Sequence, residues 1–265
     1  MSNWISKTVW LLLVMALAVA GCEQEQRQEK EREQTADVTT SQPPYISQAI
    51  EASGGLEAWT KTKKLEFDCI VSFYELDGSF YLTKQHHEIY PKSNLIRVSA
   101  QEPQGKLVWE YSPNGMRVIE GKKQADFLPI GLGAEDFIKA ILDITTAPVR
   151  LLESKAKLTK DTTSVKIEGN WYYPILQAPP DQTGSEPFRP KFVFYQNRGN
   201  SIVDMLWFLG VDGGTTLAVR GYNYQEVQKG GVVVPAKIEF FITDISLVMQ
   251  HRLVKIDYHQ LRRAK

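Results

Sequence analysis

Apolar and polar side chains alternate along most of the chain from residue 65 onwards. The first such run has Leu65, Phe67, Cys69, Val71 and Phe73 on one side, and most of the residues between them are polar. Successive side chains of a β-strand point to opposite faces, so this is the pattern of a strand with one buried face. Cys69 is therefore predicted to point into the core.

Similar runs follow the first one, and together they predict about eleven strands. They lie at 80–90, 95–101, 106–111, 116–120, 164–168, 191–196, 202–209, 216–227, 232–243 and 252–260. Short segments rich in glycine, asparagine, aspartate and proline separate most of them, as is typical of tight turns. Tight turns join antiparallel neighbours, whereas parallel strands need long crossovers. The pattern therefore predicts a mainly β protein with a meandering antiparallel sheet.

Helical spacing is confined to a few short segments. The predicted helices are 45–52 before Gly54 and Gly55, a turn at 56–59, and 134–142 with an extension near 149–158. A segment at 170–190 contains five prolines and fits neither period. It is predicted to be an ordered loop or a lid over the sheet, not a strand.

The first 21 residues have the features of an export signal. Lys7 precedes an apolar run at 9–20, which is shorter than the roughly 20 residues needed to span a bilayer. Such a run fits the hydrophobic region of a secretory signal peptide. The small residues directly before Cys22 resemble a bacterial lipobox, which implies cleavage after residue 21 and acylation of Cys22. An ordinary signal peptide, or a membrane anchor that contains a cysteine, is the alternative.

Residues 22–44 predict a polar tether between this anchor and a folded domain at 45–265. Segment 23–37 carries both charge signs and has Ala36 as its one apolar residue, so it cannot bury enough surface to offset the entropy of ordering. Glu23, directly after Cys22, resembles the sorting residue of lipoproteins sent to the outer membrane of double-membrane bacteria. The expected location is thus the cell envelope, with the domain lipid-anchored at the outer membrane and facing the periplasm.

Charge and cysteine content exclude two classes of protein. The chain has 31 basic and 31 acidic residues, so it has no overall electrostatic attraction for nucleic acid, and no nucleic-acid partner is expected. Its two cysteines cannot form the disulfide framework of a small secreted domain. The fold must therefore depend on burial of apolar and aromatic side chains.

The sequence contains no motif that carries a known chemistry. His86 and His87 are adjacent on a predicted strand, so they face opposite sides, and His251 and His259 stand about 26 Å apart on one strand. There is no glycine-framed serine, phosphate-binding glycine loop or dinucleotide fingerprint. We therefore expect no catalytic residue, no metal site, no cofactor and no enzymatic activity.

Two segments resemble a known family. Residues 49–67, "AIEASGGLEAWTKTKKLEF", resemble the helix, glycine pair, tryptophan and first strand of exported proteins of the LolA/LolB/LppX-like lipoprotein-carrier superfamily. Residues 230–244, "GGVVVPAKIEFFITD", followed by the strand at 252–258, resemble the last strand pair of that family. The resemblance implies an unclosed half-barrel, whose concave apolar face is covered by helices and holds acyl chains or a lipidated protein.

This resemblance predicts which residues would line the cavity. The candidates are apolar residues on one face of the predicted strands and on the predicted covering helix: Phe67, Val71, Phe73, Trp109, Phe137, Ile141, Phe194, Leu206, Ile238 and Phe240. The function expected is binding of a lipid or acyl chain by a membrane-anchored lipoprotein, with a role in lipid or lipoprotein trafficking. A structural or sensory lipoprotein that binds a protein partner without a cavity is the alternative, and an enzyme is a third.

Overall fold

The computed structural model describes residues 43–102, 105–122, 128–129, 131–153, 158–177, 192–209, 214–244 and 246–264. The predicted signal peptide, Cys22 and nearly all of the tether lie outside these ranges. The chain divides into two units, residues 1–47 and residues 48–265. The described part of the first unit is 43–47, where helix α1 (Pro44–Ala52) begins. No helix within the described ranges is long and apolar enough to cross a membrane.

The described residues form four α-helices and thirteen strands. The helices are α1, α2 (Gly55–Lys61), α3 (Ala134–Thr145) and α4 (Ala147–Glu153). The strands are β1 (Lys64–Tyr74), β2 (Phe80–Tyr90), β3 (Leu95–Glu102), β4 (Gly105–Ser112), β5 (Gly115–Glu120), β6 (Leu158–Lys160), β7 (Val165–Ile167), β8 (Asn170–Gln177), β9 (Phe192–Asn197), β10 (Val203–Leu209), β11 (Thr216–Glu226), β12 (Val233–Thr243) and β13 (Met249–Ala264).

The strands make one antiparallel sheet. Its order is β5-β4-β3-β2-β1-β13-β12-β11-β10-β9-β8-β6, with β7 also paired to β8. The first and last strands of the domain, β1 and β13, are neighbours in the middle of the sheet. Among the described residues, β5 does not pair with β6 or β7, so the sheet is not closed into a barrel. The predicted mainly β, unclosed antiparallel architecture is confirmed, with two more strands than expected.

The sheet curls around helix α3. This helix contacts β3 and β4 on one side and β10, β11 and β12 on the other. Six strands separate β4 from β10 in the sheet order, so in a flat sheet these two would lie about 34 Å apart at about 4.8 Å per strand. An α-helix with its side chains is only about 10–12 Å wide. One helix can therefore contact both groups of strands only because the sheet is strongly curved, with α3 on its inner face.

The prediction that residues 170–190 form a loop or a lid was wrong for residues 170–177. Asn170–Gln177 forms strand β8, which pairs with β9 along one edge and with the short strands β6 and β7 along the other. Tyr172 and Ile175 are completely buried in it, so burial of aromatic and β-branched side chains overrides Pro174. The predicted extension at 149–158 was also partly wrong, since α4 ends at Glu153 and Leu158 begins β6.

The glycine pair predicted to end α1 forms a tight corner against the β11–β12 turn. Gly54 has φ 106°, and a Cβ built on it would lie 2.4 Å from the Gly231 carbonyl oxygen. The amide of Val233 donates to the Ser53 carbonyl at 2.8 Å, and Trp59 Nε1 donates to the same carbonyl at 3.1 Å. Only glycine fits at position 54, because both the backbone angle and the space exclude a side chain.

We predict that Gly54→Ala lowers the free energy of unfolding by clearly more than Gly78→Ala does. Gly78 also has positive φ, but no atom lies within 4 Å of a Cβ built there. The control therefore has only the backbone cost of a left-handed residue, about 1 kcal/mol, whereas Gly54→Ala adds a clash with backbone atoms. Urea unfolding of the two full-length variants measures the difference, and equal losses would contradict the proposed close contact.

Candidate functional site

The predicted lining residues on the strands share the inner face of the sheet. A row of directly paired residues crosses six neighbouring strands in the order Phe73, Val254, Phe240, Val219, Leu206 and Phe194. Directly paired residues point to the same face. A second row joins Phe67, His87, Val98 and Trp109. Alternation along β1 and β12 adds Val71 and Ile238 to this face.

Helix α3 brings the remaining two candidates, Phe137 and Ile141, onto this surface. The Phe137 ring lies between those of Phe73 and Phe240, with centroid distances of 5.6 and 5.5 Å. All ten candidates are buried, and the most exposed of them, Phe194, is 7% exposed. The apolar side chains of α3 thus cover the inner face in this structure, and binding of a ligand by these ten residues stays a prediction.

The polar side of α3 is held by a buried carboxylate. Asp143 is ion-paired with Lys139 one turn earlier in the same helix and with Arg150 of α4, whose Nε lies 3.1 Å from Asp143 Oδ1. The Asp143 side chain is only 2% exposed, while both cations are partly exposed. Lys139 Nζ also lies 4.0 Å from the centroid of the Phe192 ring on β9. These contacts link α3 to α4 and to the sheet.

Strand β2 contributes a buried polar stripe to the inner face, made of Thr83, Gln85 and His87. Gln85 Nε2 donates to Thr83 Oγ1 at 2.8 Å, and His87 Nε2 lies 2.9 Å from Gln85 Oε1. On its other side, His87 Nδ1 lies 3.2 Å from the Tyr258 hydroxyl. Burial lowers the pKa of His87 to about 3, with a smaller contribution from His86. His87 is therefore neutral near pH 7.

Cys69 lies beside this stripe and points inward, as the alternation predicted. Its Sγ is 3.6 Å from His87 Nε2 and 3.5 Å from the Gln85 carbonyl oxygen. Burial and the neighbouring Asp68 carboxylate raise the pKa of the Cys69 thiol. A neutral imidazole beside a protonated thiol is not an activated nucleophile, because the reactive form is the thiolate.

The outer face of β1 and β2 carries charged side chains. Glu66, His86 and Glu88 each offer a metal-ligand atom, and these atoms lie within 4.8 Å of one another. The ammonium of Lys64 is 2.5 Å from Glu66 and 3.0 Å from Glu88, so it already neutralises one of their two negative charges. His86 Nδ1 lies 2.8 Å from Asp68 Oδ1. These contacts form an ion-pair network, in which a divalent cation would have to displace Lys64.

A shallow pocket of about 570 Å³ lies beside this network. It has Ile70 as an apolar contact, and its polar lining carries both charge signs: Asp68, Lys84, His86, Ser99, Gln101, Lys106 and His259. Oppositely charged groups in one open pocket do not select a class of ligand. His86 faces this pocket while His87 is buried on the inner face, which confirms that the adjacent histidines point to opposite sides.

A second buried polar cluster lies around Arg220 on β11. Arg220 Nη2 donates to the Tyr172 hydroxyl at 2.9 Å, and its guanidinium also pairs with Glu168. Asp204 accepts from Asn197 Nδ2 at 3.2 Å, and burial raises its pKa to about 6 despite the nearby Arg220 charge. Sequence reasoning missed this cluster, because Asp204 is the one polar residue of β10 and no local pattern pairs it with Arg220 on β11.

Comparison with known proteins gives likenesses in fold. No family model and no curated protein sequence matches the chain. Among solved structures, it is similar to a LolA superfamily protein from Nitrosomonas europaea, with 15% identity and a TM-score of 0.49 over 82% of this chain and 92% of that one. An outer-membrane lipoprotein-sorting protein domain from Vibrio parahaemolyticus has 11% identity and a TM-score of 0.48, over 82% and 91%.

A DUF1329 family protein from Desulfovibrio piger is a third similar structure, with 12% identity and a TM-score of 0.45 over 83% of this chain and 91% of that one. One of these similar structures is named as a member of the superfamily that the sequence resembles. At these identities the likeness concerns the fold alone.

Asp204 and His87 are predicted to have opposite effects on the pH dependence of stability. The folded state binds fewer protons at His87 than the unfolded state, so this residue lowers the free energy of unfolding as pH falls from about 6.5 towards 3. The folded state binds more protons at Asp204, so this residue lowers the free energy of unfolding as pH rises from about 4 to 6. Between pH 4 and pH 6, the two effects oppose each other.

We predict that Asp204→Asn raises the free energy of unfolding at pH 7 by about 3 kcal/mol, because burial raises the pKa of Asp204 from 3.8 to about 6 and a shift of one pKa unit corresponds to about 1.4 kcal/mol. The gain should disappear near pH 4, where Asp204 is protonated in the folded protein. Urea unfolding across this pH range measures it. The exposed Asp161, changed to Asn, is the control and should give a small difference. A gain of equal size at both pH values would contradict the prediction.

Proposed function

We propose that the chain is a membrane-anchored lipoprotein of the bacterial envelope, and that it binds a lipid or acyl chain on the inner face of the sheet. The observation that carries the proposal is the position of Phe137, which inserts from α3 between Phe73 and Phe240. The inner face is thus covered by one short helix instead of a second sheet. A helix of twelve residues can move away as a unit, whereas a paired sheet cannot.

When an acyl chain replaces α3 on the inner face, the free energy lost by exposing the helix side chains can be offset by burial of the acyl chain. Burial of a large apolar side chain is worth about 1.5–3 kcal/mol, so displacement of Phe137, Ile138 and Ile141 from the sheet costs several kcal/mol. An acyl chain that takes their place recovers about 0.8 kcal/mol for each buried CH₂. A long chain can therefore replace the helix, and the same apolar surface serves both states.

Anchoring through acylated Cys22 and a position at the outer membrane facing the periplasm belong to this proposal. They are supported by the residues before Cys22, which resemble a lipobox, and by the polar composition of the segment after it. More than one acyl chain on Cys22 would give durable attachment. A role in lipid or lipoprotein trafficking would follow, and no enzymatic step is required.

The alternative is a structural or sensory lipoprotein that binds a protein partner. The β1–β2 hairpin favours it, because Leu76 and Phe80 at its tip are 64% and 63% exposed, and Leu82 is 53% exposed. Exposed apolar residues clustered in this way are typical of interaction surfaces. Crosslinking in intact cells that recovers a protein at this hairpin, together with failure to bind any acyl ligand, would favour the alternative.

We predict that the full-length chain binds a palmitoyl ligand, and that Asp143→Asn makes uptake of this ligand faster. The substitution removes the negative charge of Asp143, with which Lys139 and Arg150 are ion-paired, so α3 should leave the inner face more easily. Native mass spectrometry measures the bound ligand, and stopped-flow fluorescence with a palmitoyl probe measures the rate. We expect the rate to rise about tenfold, which corresponds to about 1.4 kcal/mol in the opening step.

The matched control is Glu57→Gln, which breaks the exposed Lys61–Glu57 pair of α2 and leaves α3 untouched. It should bind the probe at the wild-type rate. Absence of any bound acyl ligand in the wild-type protein would overturn the proposed function. Binding with equal rates in all three proteins would contradict the role of α3 as the cover.

We predict that cells supplied with labelled palmitate attach the label to the wild-type chain and to Cys69→Ser, but not to Cys22→Ser. Cys69 is buried beside the stripe and its thiol is protonated, so it offers no competing site. Gel autoradiography of the immunoprecipitated protein measures the label. Label that persists in Cys22→Ser would show that the segment before Cys22 is not a lipobox.

A further inference from the structure

The inner face of β2 differs from that of its neighbours. On β1, the inward residues paired with the polar stripe are Val71, Cys69 and Phe67. On β3, the residues paired with Gln85 and His87 are Ala100 and Val98. Thr83, Gln85 and His87 are each at most 4% exposed. Three consecutive inward positions are therefore polar within a wall that is otherwise apolar on both sides.

The stripe lies on a strand between the two groups of strands that α3 contacts. Helix α3 contacts β3 and β4, which lie on one side of β2 in the sheet. It also contacts β12, β11 and β10, which lie on the other side of β2, after β1 and β13. The strands between these two groups are β2, β1 and β13, and Phe137 of α3 also contacts Phe73 on β1. A ligand that replaced α3 on the inner face would lie against this part of the wall, with the stripe within its reach.

The hydrogen bonds of the stripe run in one direction. Gln85 Oε1 is an acceptor, so the proton of the neutral His87 ring is on Nε2, and Nδ1 accepts from the Tyr258 hydroxyl. Gln85 in turn donates to Thr83 Oγ1. The Thr83 hydroxyl hydrogen and the second amide hydrogen of Gln85 have no acceptor among the described residues. These two donors can bind a polar atom of a ligand without breaking the hydrogen bonds that join Thr83, Gln85 and His87.

The stripe has no charge with which to balance an anion. His87 is neutral near pH 7, and the paired residues on β1 and β3 are Val71, Cys69, Phe67, Ala100 and Val98. Transfer of an ionised group into such surroundings without a partner is costly, whereas a hydroxyl or carbonyl group needs only hydrogen bonds. The stripe can therefore accommodate an uncharged polar group but not a phosphate or carboxylate.

We propose that Thr83, Gln85 and His87 bind the uncharged polar head of the acyl ligand, a hydroxyl, ester or amide group, and discriminate against ligands with an anionic head. This inference rests on the proposed function, because it requires that an acyl ligand occupies the inner face. It assigns the ligand class as a neutral acyl lipid. The acyl chain of the ligand lies along the row from Phe73 to Phe194, and its head group contacts the polar stripe.

The test compares two palmitoyl-length ligands that differ in their heads, monopalmitoylglycerol and cetyl phosphate. Native mass spectrometry of the full-length chain, incubated with equal amounts of both, measures which is bound. We expect the wild-type protein to prefer monopalmitoylglycerol about tenfold, because each net hydrogen bond contributes about 0.5–1.5 kcal/mol. Thr83→Val and Gln85→Leu, singly and together, should reduce this preference towards equal binding by weakening retention of monopalmitoylglycerol.

Ile89→Val is the matched control, because Ile89 is a buried inward residue of the same strand that makes no side-chain hydrogen bond. It should keep the wild-type preference. Thr83→Val has nearly the shape of the original residue, so it provides a folded variant if Gln85→Leu disturbs the core. Binding of both ligands with no preference, or a preference unchanged in Thr83→Val and Gln85→Leu, would overturn this inference alone. Failure of the wild-type protein to bind either ligand would overturn the proposed function as well.

Discussion

The contact between Phe137 and the inner face of the sheet is the interaction on which the rest of the structure depends. A curved sheet with one apolar face must cover that face, since exposed apolar surface of this extent is unfavourable in water. Here helix α3 provides the cover, and the Phe137 ring packs against Phe73 on β1 and Phe240 on β12, two strands with only β13 between them. The contact fixes α3 over the middle of the sheet, and it keeps the candidate ligand surface closed.

The two faces of the sheet are stabilised in different ways. The inner face is held by apolar burial and by the neutral hydrogen bonds of the polar stripe. On β3, β4 and β5 the outer face is held by ion pairs of Arg97 and Arg117 with Glu110, whose side chain is only 4% exposed. On β9 and β10 the outer face also packs an apolar cluster that includes Val193 and Met205. These two arginines hold the pKa of Glu110 below its usual range, although burial opposes them. Charge is thus kept on the outer face, away from the surface that meets an apolar ligand, so the inner face stays uncharged near its centre.

Much of this arrangement could be predicted from the sequence, and the rest required the pairing of the strands. The alternation of Phe67, Val71 and Phe73 predicted their shared face, and the spacing of Phe137 and Ile141 predicted the helix that covers it. The polar stripe was missed, because neither face of β2 is apolar in the sequence and its burial comes from other strands of the sheet, including Tyr258 of β13, which contacts His87. Strand β8 was missed because Pro174 and the four prolines after the strand outweighed its aromatic residues. Distances between strands far apart in sequence, such as β1 and β12, cannot be obtained from local periodicity.

The same balance of burial restricts which ligands can open the site. Displacement of Phe137, Ile138 and Ile141 turns their apolar surface to water and costs about 5–9 kcal/mol, at about 1.5–3 kcal/mol for each side chain. An incoming chain covers the sheet but not the displaced helix, and recovers about 0.8 kcal/mol for each CH₂. Roughly six to eleven methylene groups are therefore needed before the exchange becomes favourable. Chains shorter than this should leave α3 in place, so the helix sets a minimum chain length, while the polar stripe acts on the head group.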